Sequence, residues 1–540
     1  MNSTILLLCV IVYFVGLLVI SYFTSRNSDN QSFFNGNKKS KWWLVAFGMI
    51  GTSLSGVTFI SVPGTVGKLT GSEYIYGGFE YYMMVIGFFL GYFIVAGVLL
   101  PLYYRMNLTS IYTYLGKRFN VEAHKMGSVF FIISRGIGAT ARLYLVVNVL
   151  QIFLLDNLGV PFWATTFVLL LMILLYTFEG GVKTIVVTDT LQTSFMIISL
   201  IACIWFILSH LNLSVGEAYD RMQAKNYTHF INLDPNSKTY FLKTILGGMF
   251  ITIAMTGLDQ EMMQKNISVD NLHNSKKNML TFAGTLLIVN LAFLFLGGLL
   301  YLYAMSEGGF YTADGFFMQQ GGQNIMGDDM FPALSLLGEH FPMIISIIFI
   351  IGLISALFPS ADGALTAVTS SYCVDLLNIN EDKVKSEKEK KKIRIRVHLV
   401  FTVVFFILIM VFKAINNKSI VYLVMEVAGY TYGPLLGLFA FGILTKRNIY
   451  KKYSIIVVSI LAPIMTYILS IVPFIIRVKE FIWYIPTKDL EKYSLTIQEV
   501  IKSGHYYKIG IELIILNGLL TFIGLWLVSS NRQKETIIHS

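Results

Sequence analysis

Charge is scarce in this sequence. Asp, Glu, Lys and Arg together make up 13% of its 540 residues, against 55% hydrophobic residues. A soluble chain of this length carries about 25% charged residues, so a water-facing exterior is excluded over most of it. Cysteine is scarcer still: Cys9, Cys203 and Cys373 are the only three, and each falls inside an apolar run. That leaves no disulfide framework and no thiolate metal site. The sequence has no Walker phosphate loop, no G-x-S-x-G elbow, no H-E-x-x-H and no C-x-x-C. ATP-driven pumping and the commoner hydrolase chemistries therefore lack a signature, and the chain does not read as an enzyme. Its formal charge of +10 is dispersed over many short loops rather than gathered on one face, which argues against nucleic acid as a partner.

Apolar runs of 18 or more residues fill the rest, each able to cross about 30 Å of hydrocarbon as a helix. Thirteen are expected, at 3–24, 43–66, 77–103, 126–155, 161–178, 184–208, 240–262, 279–305, 343–377, 397–414, 418–445, 453–476 and 510–529. The fold class is all-α and membrane-integral, because lipid offers no partner to an open backbone. The first run has no basic segment before it and no small-residue cleavage site after it, so it reads as a retained helix rather than a signal peptide. Lys and Arg concentrate in "NGNKKSK", "LGKRFN", "NSKKN", "EDKVKSEKEKKKIRIR" and "TKRNIYKK". These loops fall on one side, which places the N-terminus outside and the C-terminus in the cytoplasm of a plasma (inner) membrane protein. The stretch 381–396 reads as a solvated cytoplasmic segment, with lipid headgroups as the alternative contact.

Two runs carry clusters of small and hydroxyl residues at mid-length: "GMIGTSLSGVTF" in the second and "LGGMFITIAMTGLDQ" in the seventh. Their offset of five runs fits two five-helix halves related as an inverted repeat, each opening with a discontinuous helix. A further puzzle is "LISALFPSADGALTAV", where Pro359, Ser360, Asp362 and Thr366 interrupt an otherwise greasy run.

Several segments together resemble one family. "GGVKTIVVTDTLQTSFM" is similar to the Gly-Gly-x-Lys-x-x-x-x-Thr-Asp-x-x-Gln signature of the solute:sodium symporters. "GLDQEMMQKNISVDNLHNSKK" resembles their Asp-Gln-x-x-x-Gln-Arg motif, with Lys265 in place of Arg. "WWLVAFGMIGTSLSGVTFISVPG", "YTYLGKRFN" and "GYTYGPLLGLFAFGILTKR" match further landmarks in the right order. The resemblance implies a LeuT-like fold: a leading helix within 1–30, a ten-helix core at 40–450 with repeats at about 43–208 and 240–445, and two extra helices with a cytoplasmic tail in 451–540.

The resemblance also implies Na+ as the coupling ion. It assigns backbone carbonyls of Gly51, Leu54 and Ala356 and the hydroxyl of Ser360 to a sodium site, with Pro359 standing where relatives have a second hydroxyl. Proline removes an N–H and so frees the carbonyl of Ser355 as a substitute ligand. A second sodium site in some relatives maps onto Asp189 and Asp362. Two such carboxylates in low dielectric require a bound Na+, a shared proton or a cationic partner. For the solute, Ser53, Ser55, Thr58, Asp259 and Gln260 are candidates. Glu80 aligns with a sugar-contacting Glu, Arg142 is placed near mid-membrane, and Glu80, Asp189 and Glu426 are candidate partners for that Arg. The Glu80 alignment tips the expectation to a sodium-coupled importer of a neutral sugar or polyol. An anionic solute such as a sialic acid or monocarboxylate is the alternative, and a membrane sensor or structural protein is the reading from another class. Membrane lipid is an expected partner, and no obligatory protein partner is implied.

Overall fold

The computed structural model describes residues 3–25, 38–67, 77–177, 181–235, 237–306, 330–336, 341–379, 384–415, 420–449, 453–471 and 509–530, with a few isolated residues and two-residue strands between them. Most of 307–329 and 472–508 therefore lies outside the described residues. The principal helices are α1 (Ser3–Ser25), α2 (Trp42–Leu54), α3 (Gly56–Gly64), α4 (Tyr81–Ile94), α5 (Val121–Leu150), α6 (Phe162–Thr177), α7 (Gly181–His210), α8 (Phe241–Thr252), α9 (Gln260–Ile267), α10 (Leu272–Ser306), α11 (Met343–Ser371), α12 (Glu387–Ile415), α13 (Ile420–Leu444), α14 (Ser454–Ile471) and α15 (Leu513–Val528). Among the described residues, seven helices are long and apolar enough to cross a membrane, and nine spans result if each bent pair is counted as one. Four shorter apolar helices lie at Leu8–Thr24, Phe162–Thr177, Ser454–Ser470 and Leu513–Val528.

Both expected interruptions are present. α2 and α3 meet at Ser55 with a bend of 54°, and the segment Phe241–Gly257 meets α9 with a bend of 63°. The second break has a clear local cause. The chain leaves its helix at Gly257, and Asp259 adopts an extended backbone and accepts a hydrogen bond from the Met262 N–H at 3.1 Å. That is a side-chain N-cap, so a new helix starts where the old one ends. By contrast, Pro359 lies within α11 without ending it: the helix runs from Met343 to Ser371.

The broken α2–α3 pair is enclosed by α7, α10 and α11, and α5 packs on α11 and α13. Large apolar side chains such as Trp205, Ile288 and Leu527 are exposed on the exterior, as a hydrocarbon solvent permits. Helices approach most closely where side chains vanish. A Cβ on Gly87 would lie 2.2 Å from the Ile245 carbonyl oxygen, one on Gly91 2.6 Å from that of Met249, and one on Gly248 2.5 Å from that of Met84. α4 and α8 thus pack backbone to backbone, the small-residue contact that serves where lipid supplies no hydrophobic drive. Gly87→Ala is expected to destabilise the folded protein by about 1–3 kcal/mol, because the clash is with main chain that cannot rotate away. Gly97→Ala, where nothing lies within 4 Å, serves as the control. Equal melting temperatures for the two variants in detergent would refute the close-packing argument.

Candidate functional site

The expected sodium residues lie on α2 and α11, which pack against each other. The Gly51 N–H donates to Thr193 Oγ1 at 3.1 Å. A Cβ on Gly51 would lie 2.4 Å from that hydroxyl and 3.4 Å from the Pro359 ring, so α2 meets α7 and α11 at this glycine. Leu54, Ala356 and Ser360 are all buried beside the same helices, and Ser360 Oγ donates to the Leu357 carbonyl at 2.9 Å. Pro359 has no N–H to give the Ser355 carbonyl, so that oxygen lacks its usual intrahelical donor. The Ser355 hydroxyl itself donates to Tyr13 Oη at 2.8 Å. The groups assigned here, the carbonyls of Gly51, Leu54 and Ala356 and the hydroxyl of Ser360, offer oxygen, which would suit a hard monovalent cation.

A chain of buried charges runs alongside. Lys265 Nζ lies 2.7 Å from Asp189 Oδ2, 2.7 Å from Thr52 Oγ1 and 3.5 Å from Glu261 Oε1. Thr52 Oγ1 in turn lies 3.2 Å from Asp189 Oδ2. Arg135 Nε donates to Glu261 Oε2 at 2.6 Å, its Nη2 pairs with the same oxygen, and its Nη1 lies 3.8 Å from Asp259 Oδ2. Tyr432 Oη donates to Asp259 at 2.6 Å. Asp362 stands apart on α11, where Tyr176 Oη donates to its Oδ2 at 2.6 Å. Asp189 thus has a cationic partner in Lys265, on α9.

Between α2–α3, α4, α5, α8 and α10 lies a cavity of about 110 Å³. Ser53, Ser55 and Thr58 line it, as expected for solute contacts, and so does Arg142. Arg135 reaches the same wall but is held by Glu261. Arg142 forms no ion pair and no hydrogen bond among the described residues. Thr52, Tyr81, Tyr92, Thr252, Thr256 and Asn290 complete the polar lining and were not anticipated. Each is a polar group in an apolar helix, and only the packing shows which way it faces.

The other four solute candidates are placed elsewhere. Glu80 is buried at the N-terminal end of α4, and its Oε1 lies 3.0 Å from His229 Nε2. Gln260 clamps the turn before Thr113–Arg118, accepting from the Ile111 N–H and donating to the Thr109 carbonyl, both at 2.9 Å. Asp259 is engaged in the cap and with Tyr432. Glu426 is half-buried on α13 and does not line the cavity, so it is not the partner of Arg142.

Comparison with known proteins agrees with this architecture. A model of the sodium:solute symporter family matches residues 33–451. The chain is 24% identical over 286 residues to the sodium/sialic acid symporter NanT of Aliivibrio fischeri, covering 52% of this chain and 54% of that protein. It therefore spans little more than half the length of that relative. It is also 24% identical over 455 residues to the sodium/sialic acid symporter SiaT of Proteus mirabilis, covering 83% and 86%. Among solved structures, the substrate-bound outward-open state of a Na+-coupled sialic acid symporter superposes with a TM-score of 0.73 at 18% identity, over 96% of both chains. That likeness establishes the fold.

Proposed function

Since the chain belongs to the sodium:solute symporter family, we propose that it is a sodium-coupled secondary transporter that imports a small carboxylic acid by alternating access. The observation that carries the reading is Arg142: a guanidinium on the cavity wall that forms no ion pair and no hydrogen bond among the described residues. An unpaired charge inside a membrane protein is costly, and a solute carboxylate is the partner that removes the cost. Arginine presents a planar fork that matches a carboxylate at two points. The hydroxyls of Ser53, Ser55 and Thr58 supply further hydrogen bonds to a polyhydroxylated or hydroxy acid. Two of the relatives carry sialic acid in their names, which supports an acid over a neutral sugar. The preference for a sugar or polyol rested on Glu80, and Glu80 is engaged with His229 away from the cavity.

Na+ would be held by the carbonyls of Gly51, Leu54 and Ala356 and the hydroxyl of Ser360, at the break that also forms the cavity wall. Because the ion and the solute share α2, each stabilises the conformation that binds the other. Thirteen crossings, an N-terminus outside, the 40–450 core of two repeats and a place in the plasma membrane belong to the same reading.

The decisive experiment is uptake into proteoliposomes under an imposed sodium gradient, with labelled sialic acid and labelled monocarboxylates and an excess of unlabelled sugars, polyols or acids as competitors. Inhibition by acids alone supports the reading. Inhibition by sugars but not acids would reverse the choice of solute. A second expected outcome concerns Ser360, whose hydroxyl is the only side-chain oxygen in the assigned sodium site. Ser360→Ala should raise the sodium concentration for half-maximal uptake about tenfold, the equivalent of about 1.4 kcal/mol. Unchanged sodium dependence at normal expression removes Ser360 from the site.

A further inference from the structure

The second cation site that the family resemblance placed at Asp189 and Asp362 does not fit the residues present. Asp189 is fully buried and already holds the ammonium of Lys265 at 2.7 Å. Thr52, from the broken helix, adds a second oxygen to that ammonium at 2.7 Å, and Glu261 a third at 3.5 Å. These oxygens come from α2, α7 and α9, the arrangement a bound monovalent cation would need. Asp362, the other assigned ligand, is turned to Tyr176 and the Gly363 N–H. Asp189 Oδ1 remains without a hydrogen-bond partner, but a Na+ placed against it would sit beside the ammonium. Like charges about 4 Å apart in a partly shielded interior weaken binding by roughly a thousandfold.

We infer that Lys265 is a tethered counter-cation occupying the position of a second Na+ at Asp189, so that this chain couples one Na+ to each solute. The inference rests on the sodium-coupled reading for its consequence in transport, and on Asp189, Thr52 and Glu261 for the placement itself. A lysine is the residue type that can do this. Its charge is a compact point on a flexible stem that donates to Asp189 and Thr52 and faces Glu261 at ion-pair distance, whereas the arginine of the family motif presents a broad plane. The ammonium cannot leave with the solute, so the carboxylate is neutralised in every state of the cycle.

The test counts sodium ions in the absence of solute. The protein is purified in detergent, 22Na+ bound per chain is measured at equilibrium, and melting temperature is followed in NaCl against choline chloride. The wild type is expected to bind one Na+. Lys265→Met removes the ammonium at similar volume, and should bind two. It should also melt lower than the wild type in choline chloride and recover part of the difference in NaCl. Lys265→Met combined with Asp189→Asn removes both charges and should return the count to one without the added sodium dependence of melting. Two ions on the wild type would overturn the inference whether or not the variants fold. A folded Lys265→Met that binds no more sodium than the wild type would also overturn it, leaving the Lys265–Asp189 contact as a simple ion pair. No ion on the wild type but one on Lys265→Met would support the placement of Lys265 while refuting the sodium site at Ser360, so the two readings fail separately.

Discussion

Arg142→Lys is expected to abolish acid uptake, lowering kcat/KM by at least about a hundredfold. Lysine keeps the positive charge, so an effect of this size reports geometry rather than sign. The guanidinium offers two parallel N–H donors to a carboxylate, and a charge-assisted hydrogen bond contributes about 1.5–3 kcal/mol. An ammonium on a shorter stem replaces the pair by one point contact. Loss of one such bond together with the misplacement of the solute exceeds about 2.7 kcal/mol, which is two powers of ten. Sodium-dependent melting of the solute-free protein should be unaffected, since Arg142 lies on the cavity wall and not at Gly51 or Ser360. Uptake of the acid by Arg142→Lys at the wild-type rate would remove Arg142 from the solute site.

Glu261→Gln should be the most destabilising isosteric change in the molecule, by about 3–5 kcal/mol. Glu261 receives two nitrogens of Arg135 through one oxygen and faces Lys265 with the other. Arg135 and Glu261 are 3% and 2% exposed, so bulk water has little access when the charge is removed. The glutamine fills the same space, and the loss therefore measures electrostatics and not a cavity. Folded yield after detergent extraction and the melting temperature are the readouts. Replacing both members of the pair by leucine should recover most of the loss, because two matched apolar groups leave no buried charge uncompensated. If Glu261→Gln melts with the wild type, Asp259, 3.8 Å away, suffices to hold Arg135 and the network is not a structural unit.

The parts legible in the sequence were those with local causes. Apolar runs gave helices, and glycine and hydroxyl clusters gave both breaks; the cap at Asp259, a residue read there only as a solute candidate, emerged from the structure. Ser53, Ser55 and Thr58 belong to one short stretch, so their common position on the cavity wall followed from the break. Arg142 was identified as a membrane-embedded charge, but its lack of an ion pair among the described residues depends on where Glu80 and Glu426 are packed. The Lys265–Asp189 pair joins residues 76 apart, and nothing in local pattern reveals it. Glu261 was overlooked because it follows the recognised Asp259–Gln260 motif and reads as part of a polar turn. Setting the interior acids Asp189, Asp259, Glu261 and Asp362 against Arg135, Lys265 and Arg142, as part of a larger set of buried charges, would have forced the question of who pairs with whom.

The position of Lys265 has an electrical consequence. If the resident ammonium neutralises Asp189 throughout, the moving cargo is one Na+ and one monoanion, whose charges cancel. Import would then generate no current and be indifferent to membrane voltage. The chemical gradient of sodium alone would set the limit: a tenfold gradient, about 1.4 kcal/mol, concentrates the acid at most about tenfold. A cell using such a carrier gives up steep accumulation and gains uptake that continues when its membrane is depolarised.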